Sequence, residues 1–358
     1  MVNVAKQVVR TSLNLTDQDV LGIDCWSHVT GLASQIAAEA YKVGADAQIS
    51  YLDDSLWRSW FEMDEKYIAR KSPISAALAE TLTAYVSLWG PEDPSVFDRS
   101  KPERMAKADP WIKEINDRQR ERKVRSLFLG LAQVTPQRAR KYGVNFAKWK
   151  RIINASLGAD LKPIAAHGRL VSKKLGGASD VQISGEGTDL SVSLRGREAI
   201  LEDGIVDAND IARGHLQSSL PSGFVDIAPL ETAGDGEVTF PSTPLWGKMI
   251  RNLRFTFSGG RLVDYRADKN VEAFANYFKA SSGEKDRIGS LTIGLNPRAS
   301  YLGGFVDHFV AGAVTIGLGG NQDIGGANRS SFDFGATLQK ATVTADGMSV
   351  VEAGKLSK

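Results

Sequence analysis

The sequence predicts an α/β protein in two parts: an N-terminal α/β domain over residues 1–155 and a strand-rich α+β domain over 156–345, closed by a tail over 346–358. Three observations carry this reading. Residues 20–52 spell strand, helix, strand, the order a parallel sheet needs. After Ser156 the apolar period shortens to two, the mark of half-buried strands. A length of 358 residues also exceeds one ordinary domain.

In the first part, Val20-Leu-Gly-Ile23 reads as a strand ending at Asp24, and Ala33, Ile36, Ala37 and Tyr41 recur at helical spacing. Gly44 stops that helix, and Ala47 to Leu52 reads as a second strand, paired parallel with the first through the crossover. Thr81 to Leu88 is rich in β-branched and aromatic residues and breaks at Gly90-Pro91. From Arg104 to Lys150 the chain reads as charged and helical, with Arg118 to Arg125 as a solvated face. In the second part, Asp180–Ser184, Leu190–Leu194, Leu253–Phe257 and Leu291–Leu295 alternate as strands. Gly234-Asp-Gly236 and Ser258-Gly-Gly260 read as hairpin turns, and Val271 to Lys279 as a helix with Phe274, Tyr277 and Phe278 on one face. Nine of the 35 glycines fall between Gly303 and Gly335, which predicts backbone packed closely against strands. The last residues, from Gly354, are expected to fray.

Composition narrows the function. A balance of 44 Lys+Arg against 42 Asp+Glu gives a net charge of +2 and no basic face, so nucleic acid is not the expected partner. No apolar run is long enough to span a membrane and no secretory leader is apparent, so the expected location is the cytoplasm. One cysteine, Cys25, excludes a disulfide framework and cysteine-based zinc or iron–sulfur sites within one chain. Phosphate-binding loops, His-Glu-x-x-His and Gly-x-Ser-x-Gly signatures are missing. Among the four histidines, His167 reads as a satisfied, partly buried helix residue. His308, beside Asp307 amid glycine-flanked strands, is the one best placed for chemistry, although neighbours on a strand face opposite ways. Cys25 reads as buried packing.

Several runs in order carry a family resemblance: Leu220-Pro-Ser-Gly-Phe-Val-Asp-Ile-Ala-Pro229, Asp235-Gly-Glu-Val-Thr-Phe240, Ile288-Gly-Ser-Leu-Thr-Ile-Gly-Leu-Asn-Pro297, Gly312-Ala-Val-Thr-Ile-Gly-Leu-Gly319 and Gly325-Gly-Ala-Asn-Arg-Ser-Ser331. Together with Tyr142 to Trp149 and Gly187 to Leu194, they resemble the thermophilic metallo-aminopeptidases of the aminopeptidase T/S type over about residues 140 to 345. The resemblance implies a Rossmann-like α/β domain, an aminopeptidase T-like β-rich domain carrying the active-site cleft, and a homodimer. The family's metal ligands do not carry over. Their positions correspond here to Phe224, Ser290, Thr315, a residue near Gln322, Asp333 and Gly335. At Pro221-Ser-Gly-Phe224 and Gly294-Leu-Asn-Pro-Arg-Ala299 the chain resembles the related 2,5-dihydroxypyridine dioxygenases more closely, yet their iron ligands would fall on Ser290, Asp333 and Gly335.

The resemblance therefore implies a cleft lined by different groups. The leading expectation is a metal-independent catabolic enzyme, a hydrolase or ring-opening enzyme on a small aromatic or heterocyclic substrate, with no cofactor. Asp333 would be the general base, Ser290 and Thr315 donors to an oxyanion, and His308 a reserve acid or base. Phe224, Arg298, Asp226, Gln322 and Ser222 would hold the substrate. Each also has a plain reading: Arg298 as a strand-end cap, Phe224 as core, Asp333 as a solvent-facing residue. Two alternatives stay open: a metal site rebuilt from Asp226, Asp307, His308 and Asp333, serving a hydrolase or dioxygenase, and a non-catalytic ligand-binding descendant.

Overall fold

The computed structural model describes residues 3–97, 104 and 107–357. The chain divides into two compact units, Met1–Lys141 with Gly204–Pro221, and Tyr142–Asp203 with Ser222–Lys358. The expected boundary at 155 thus falls within a helix of the second unit, Phe146–Leu157, and the first unit reclaims a later segment. The reason is the strand Gln217–Leu220, which pairs with Arg125–Leu129. Its sequence, Gln-Ser-Ser-Leu, satisfies backbone hydrogen bonds at the sheet edge but carries too little apolar signal to be read in advance.

In the first unit a five-stranded parallel sheet runs in the order Asp46–Leu52, Val20–Trp26, Ala84–Leu88, Arg125–Leu129, Gln217–Leu220. The helix Thr30–Tyr41 buries Ala33, Ile36 and Ala37 as its spacing predicts, whereas Tyr41 is exposed and donates to the Ala47 carbonyl. The segment expected to be helical throughout holds the helix Asp109–Glu121, whose solvated face pairs Arg118 with Glu80, but then a central strand. Leu127 and Leu129 are buried there, so their spacing of two was the strand signal. Cys25 is buried, and burial together with Asp24 pushes its thiol above the ordinary range, as befits packing.

The second unit packs two antiparallel sheets. Eight strands run Arg261–Arg266, Lys248–Ser258, Gly234–Leu245, Thr188–Val192, Val181–Gly185, Thr342–Ala345, Met348–Glu352, Lys355–Leu356. Five run Asp333–Leu338, Val314–Gly319, Ile288–Gly294, Phe224–Ile227, Ile200–Glu202. Val225, Ile227, Leu291, Ile293, Val314, Ile316, Phe334 and Ala336 of the smaller sheet join Val181, Ile183, Val238, Phe240, Leu253 and Phe255 of the larger in one core. The supposed tail belongs to the larger sheet: Lys355–Leu356 pairs with Val351 and Glu352, and the Ser357 amide donates to Val350, so the chain end is tied rather than frayed. Gly234-Asp-Gly236 is not a turn but the start of a strand, where a Cβ on Gly236 would sit 2.0 Å from the Asp189 carbonyl. Among the described residues no helix is long and apolar enough to cross a membrane.

Candidate active site

The five-stranded sheet of the second unit has two unlike faces. Alternation sends Val225, Ile227, Leu291, Ile293, Val314, Ile316, Phe334 and Ala336 into the core. The same alternation puts Phe224, Asp226, Ser290, Thr292, Thr315, Gly317, Asp333, Gly335 and Thr337 on the other face. Strand register lines four of these up across the sheet, Asp226 opposite Thr292, Thr292 opposite Thr315, and Thr315 opposite Thr337. The row is hydrogen-bonded in pairs: Thr292 Oγ1 donates to Asp226 Oδ1 at 3.0 Å, and the Thr315 and Thr337 hydroxyls lie 2.8 Å apart. One hydroxyl proton of that threonine pair is consumed between them, which leaves the other free to point outward.

Asp226 is half-buried, and removal from water raises its pKa to about 6 against the opposing Thr292 and Ile227 hydrogen bonds, with a further push from Asp333. Asp333 is exposed on the same face, opposite the buried Phe332 and Phe334, and its pKa is also raised, by desolvation first and by Asp323 second. Tyr277 pins its backbone, accepting from the Asp333 amide at 3.2 Å and donating to its carbonyl at 3.3 Å.

The loops beyond Gly294 close one end of the face. A Cβ on Gly294 would lie 2.2 Å from the Val310 carbonyl and 2.6 Å from that of His308, so glycine is required for the one-turn helix Asp307–Phe309 to cross the strand. That crossing sets His308 against Phe224, ring centroids 5.7 Å apart, and Phe309 at 5.8 Å. Gly294→Ala is expected to cost about 1–3 kcal/mol by overpacking, read by chemical denaturation. It is also expected to shift the imidazole resonances of His308, and an unaltered His308 spectrum would contradict this placement.

Several expected site residues have other work. Asp307 is buried and accepts from the amides of Leu302, Gly303 and Gly304, so it holds a loop and does not orient His308. It lies in a helical turn, not between strands. Burial lowers the His308 pKa to about 4, so its imidazole is neutral near pH 7 and is not a ready acid. Ser222 is buried and donates to the Glu202 carbonyl at 2.8 Å, which removes it from the substrate face. Gln322, expected to hold substrate, opens the exposed turn Gln322–Ile324, beyond the end of the strand Val314–Gly319. Arg298 is exposed on the loop leaving Ile288–Gly294, its amide bonded to Asn296 Oδ1. His167 is exposed, not partly buried, and its Nδ1 lies 2.9 Å from the Pro163 carbonyl.

Thr292, Thr337 and Asn296 were not singled out from sequence. Thr292 was legible in the alternation of Leu291-Thr-Ile-Gly-Leu295. Asn296 was not: it is wholly buried and its Nδ2 donates to the Ser156 and Ser222 carbonyls, which only the folded chain brings together.

The thermophilic metalloprotease (M29) family matches residues 1–300. The chain belongs to this family. A curated relative, the aminopeptidase AmpS of Bacillus subtilis (strain 168), is 22% identical over 306 residues, which cover 78% of this chain and 73% of AmpS. Among solved structures, wild-type AmpT from Thermus thermophilus superposes with a TM-score of 0.74 at 17% identity, over 99% of this chain and 98% of AmpT. The 2,5-dihydroxypyridine dioxygenase of Pseudomonas putida KT2440 superposes with a TM-score of 0.63 at 14% identity, over 96% of this chain and 93% of that one. These likenesses bear out the two-part α/β fold with an aminopeptidase-like β-rich half.

A metal of the M29 kind does not fit the donors on this face. Among the described residues no three His, Cys, Asp or Glu side chains converge. The rebuilt set of Asp226, Asp307, His308 and Asp333 fails because Asp307 is spent on loop amides and His308 packs on rings.

Proposed function

We propose that this M29 member is a carboxylate-based hydrolase of small, ring-bearing amides or related cyclic substrates, with Asp333 as general base and Asp226 as general acid. The observation that carries the reading is two carboxylates on one hydroxyl-lined sheet face, both raised by desolvation, the half-buried Asp226 to a pKa of about 6 and the more exposed Asp333 with a further push from Asp323. Asp333 takes a proton from water, the resulting hydroxide adds to the carbonyl carbon, and Asp226 gives its proton to the leaving nitrogen as the carbon–nitrogen bond breaks. The Ser290 hydroxyl and the free proton of the Thr315–Thr337 pair face the developing oxyanion. The Phe224 ring and the Arg298 guanidinium supply an aromatic contact and a carboxylate anchor. A neighbour of the same fold that is named for a dihydroxypyridine supports a heteroaromatic substrate, and family membership supports hydrolysis.

The test is a panel of cyclic amides and ring-cleavage intermediates, assayed with and without chelator. Asp333→Asn is expected to lose about 10²–10⁴-fold in kcat. Because Asp226 acts in its protonated form, the rate should fall as pH rises through about 6, and because Asp333 acts ionised, the rate should fall again in acid. Full turnover by Asp333→Asn, or a rate still climbing from pH 6 to 8, refutes the assignment. One equivalent of tightly held metal, with activity abolished by chelation, would replace it with a metal-dependent reading. Thermal stabilisation by a panel compound with no product formed would favour a binding protein.

A further inference from the structure

The parallel sheet of the first unit carries a cavity that the chemistry above does not use. Its strand order, second strand, first, third, fourth, fifth, places the reversal of strand order between Val20–Trp26 and Ala84–Leu88, which run parallel. Doubly wound sheets bind ligands at such a reversal, near the carboxyl ends of the strands. A cavity of about 400 Å³ lies over one face of these strands, reaching from Gly22, Gln48 and Leu82 toward the carboxyl ends at Trp26, Leu52 and Trp89, beneath the helices Pro73–Thr81 and Asp109–Glu121, a size suited to a small molecule.

The walls have a definite chemistry. Asp24 and Trp26 reach it from the first strand, Tyr85 and Trp89 from the third strand and its exit. Gly22 is needed beside them: a Cβ there would lie 2.7 Å from Leu82 Cδ1 and 3.4 Å from the Tyr85 ring, so glycine lets that ring cross the strand. The Tyr85 hydroxyl donates to Asp24 Oδ2 at 2.5 Å, while Oδ1 has no hydrogen-bond partner among the described residues. Burial, then Asp24, holds the Tyr85 phenol well above its ordinary range, so it remains a donor. Trp26 and Trp89 meet edge to face at 5.6 Å. Among the described residues the lining contains one carboxylate and no Lys, Arg or His.

We propose that this cavity is a second ligand site, for a small organic cation in which an ammonium or amidinium is carried on a flat ring. The cation meets the open oxygen of Asp24 and the ring lies among the indoles and the phenol. An anion would face Asp24 without a counter-charge, and a neutral amide would forgo the charge-assisted bond.

The experiment titrates the purified full chain with benzamidine, benzamide and benzoate, following tryptophan fluorescence and Tm. Saturable binding of benzamidine with Kd on the order of 1 mM is expected, with benzamide and benzoate at least 10-fold weaker. Asp24→Asn should weaken benzamidine at least 10-fold. Ile74→Trp, at an exposed lining position where folding is not at stake, should block it. Asp226→Asn should leave it unchanged, which separates this site from the sheet face of the second unit. Equal binding of benzamide or benzoate, no saturable binding of benzamidine, undiminished binding by both Asp24→Asn and Ile74→Trp, or loss in Asp226→Asn would each overturn the proposal.

Discussion

Asp226→Asn is expected to make the second unit more stable above pH 6 while abolishing turnover. In the folded chain the proton is held up to a pH of about 6, against 3.8 for an ordinary aspartate. The folded state therefore binds the proton more tightly than the unfolded chain. Its stability is highest below the unfolded value, falls as pH rises between the two, and stays reduced above the folded value. A shift of this size corresponds to about 2–3 kcal/mol. Asparagine removes the charge but keeps an acceptor for Thr292 Oγ1 and the Ile227 amide. Denaturation at pH 4 and pH 8 should show native and variant chains nearly equal at the first and separated by about 2 kcal/mol at the second. A variant less stable at pH 8 would show that Asp226 is a stabilising ionised group, and the acid role would fall with it. Gain of stability with loss of activity is the usual signature of a group held in an unfavourable state for chemistry.

The largest loss of stability is expected from Phe274→Ala, about 3–5 kcal/mol. Phe274 is wholly buried, and its ring centroid lies 4.9 Å from those of Phe255 and Tyr265 and 5.1 Å from that of Phe334. It also meets Phe332 at 5.8 Å. Phe332 and Phe334 flank Asp333, and Tyr277, on the same helix as Phe274, holds the Asp333 backbone. The cavity should therefore slacken the strand that carries Asp333, the proposed general base, so that kcat falls along with the denaturation midpoint. A variant that loses less than 1 kcal/mol would mean that the aromatic cluster repacks around the gap. Phe274→Leu, which retains much of the volume, should recover a large part of both losses.

Much of the candidate site was legible in the chain before folding. Alternation around Asp333 placed it opposite two phenylalanines, and alternation in Leu291-Thr-Ile-Gly-Leu295 fixed the face of Thr292, because a strand's side chains must point to opposite sides in turn. The order of glycine-rich runs likewise identified the β-rich half and its relatives. Local pattern was weaker wherever an element is defined by its partners. Gln217–Leu220 and Lys355–Leu356 are strands because a neighbour satisfies their amides, and neither carries an apolar period that announces it.

By itself the sequence determined which residues share a face, since that follows from a fixed two-residue period. Only the tertiary structure decided which polar groups remain available for chemistry. Asp307 and Asp226 are both aspartates beside apolar residues in the sequence, yet three loop amides surround the first, whereas the second accepts from one amide, that of Ile227, and from a threonine hydroxyl of the next strand. Those partners come from distant or folded-back segments, and they decide whether a carboxylate is spent on holding backbone or left to move a proton.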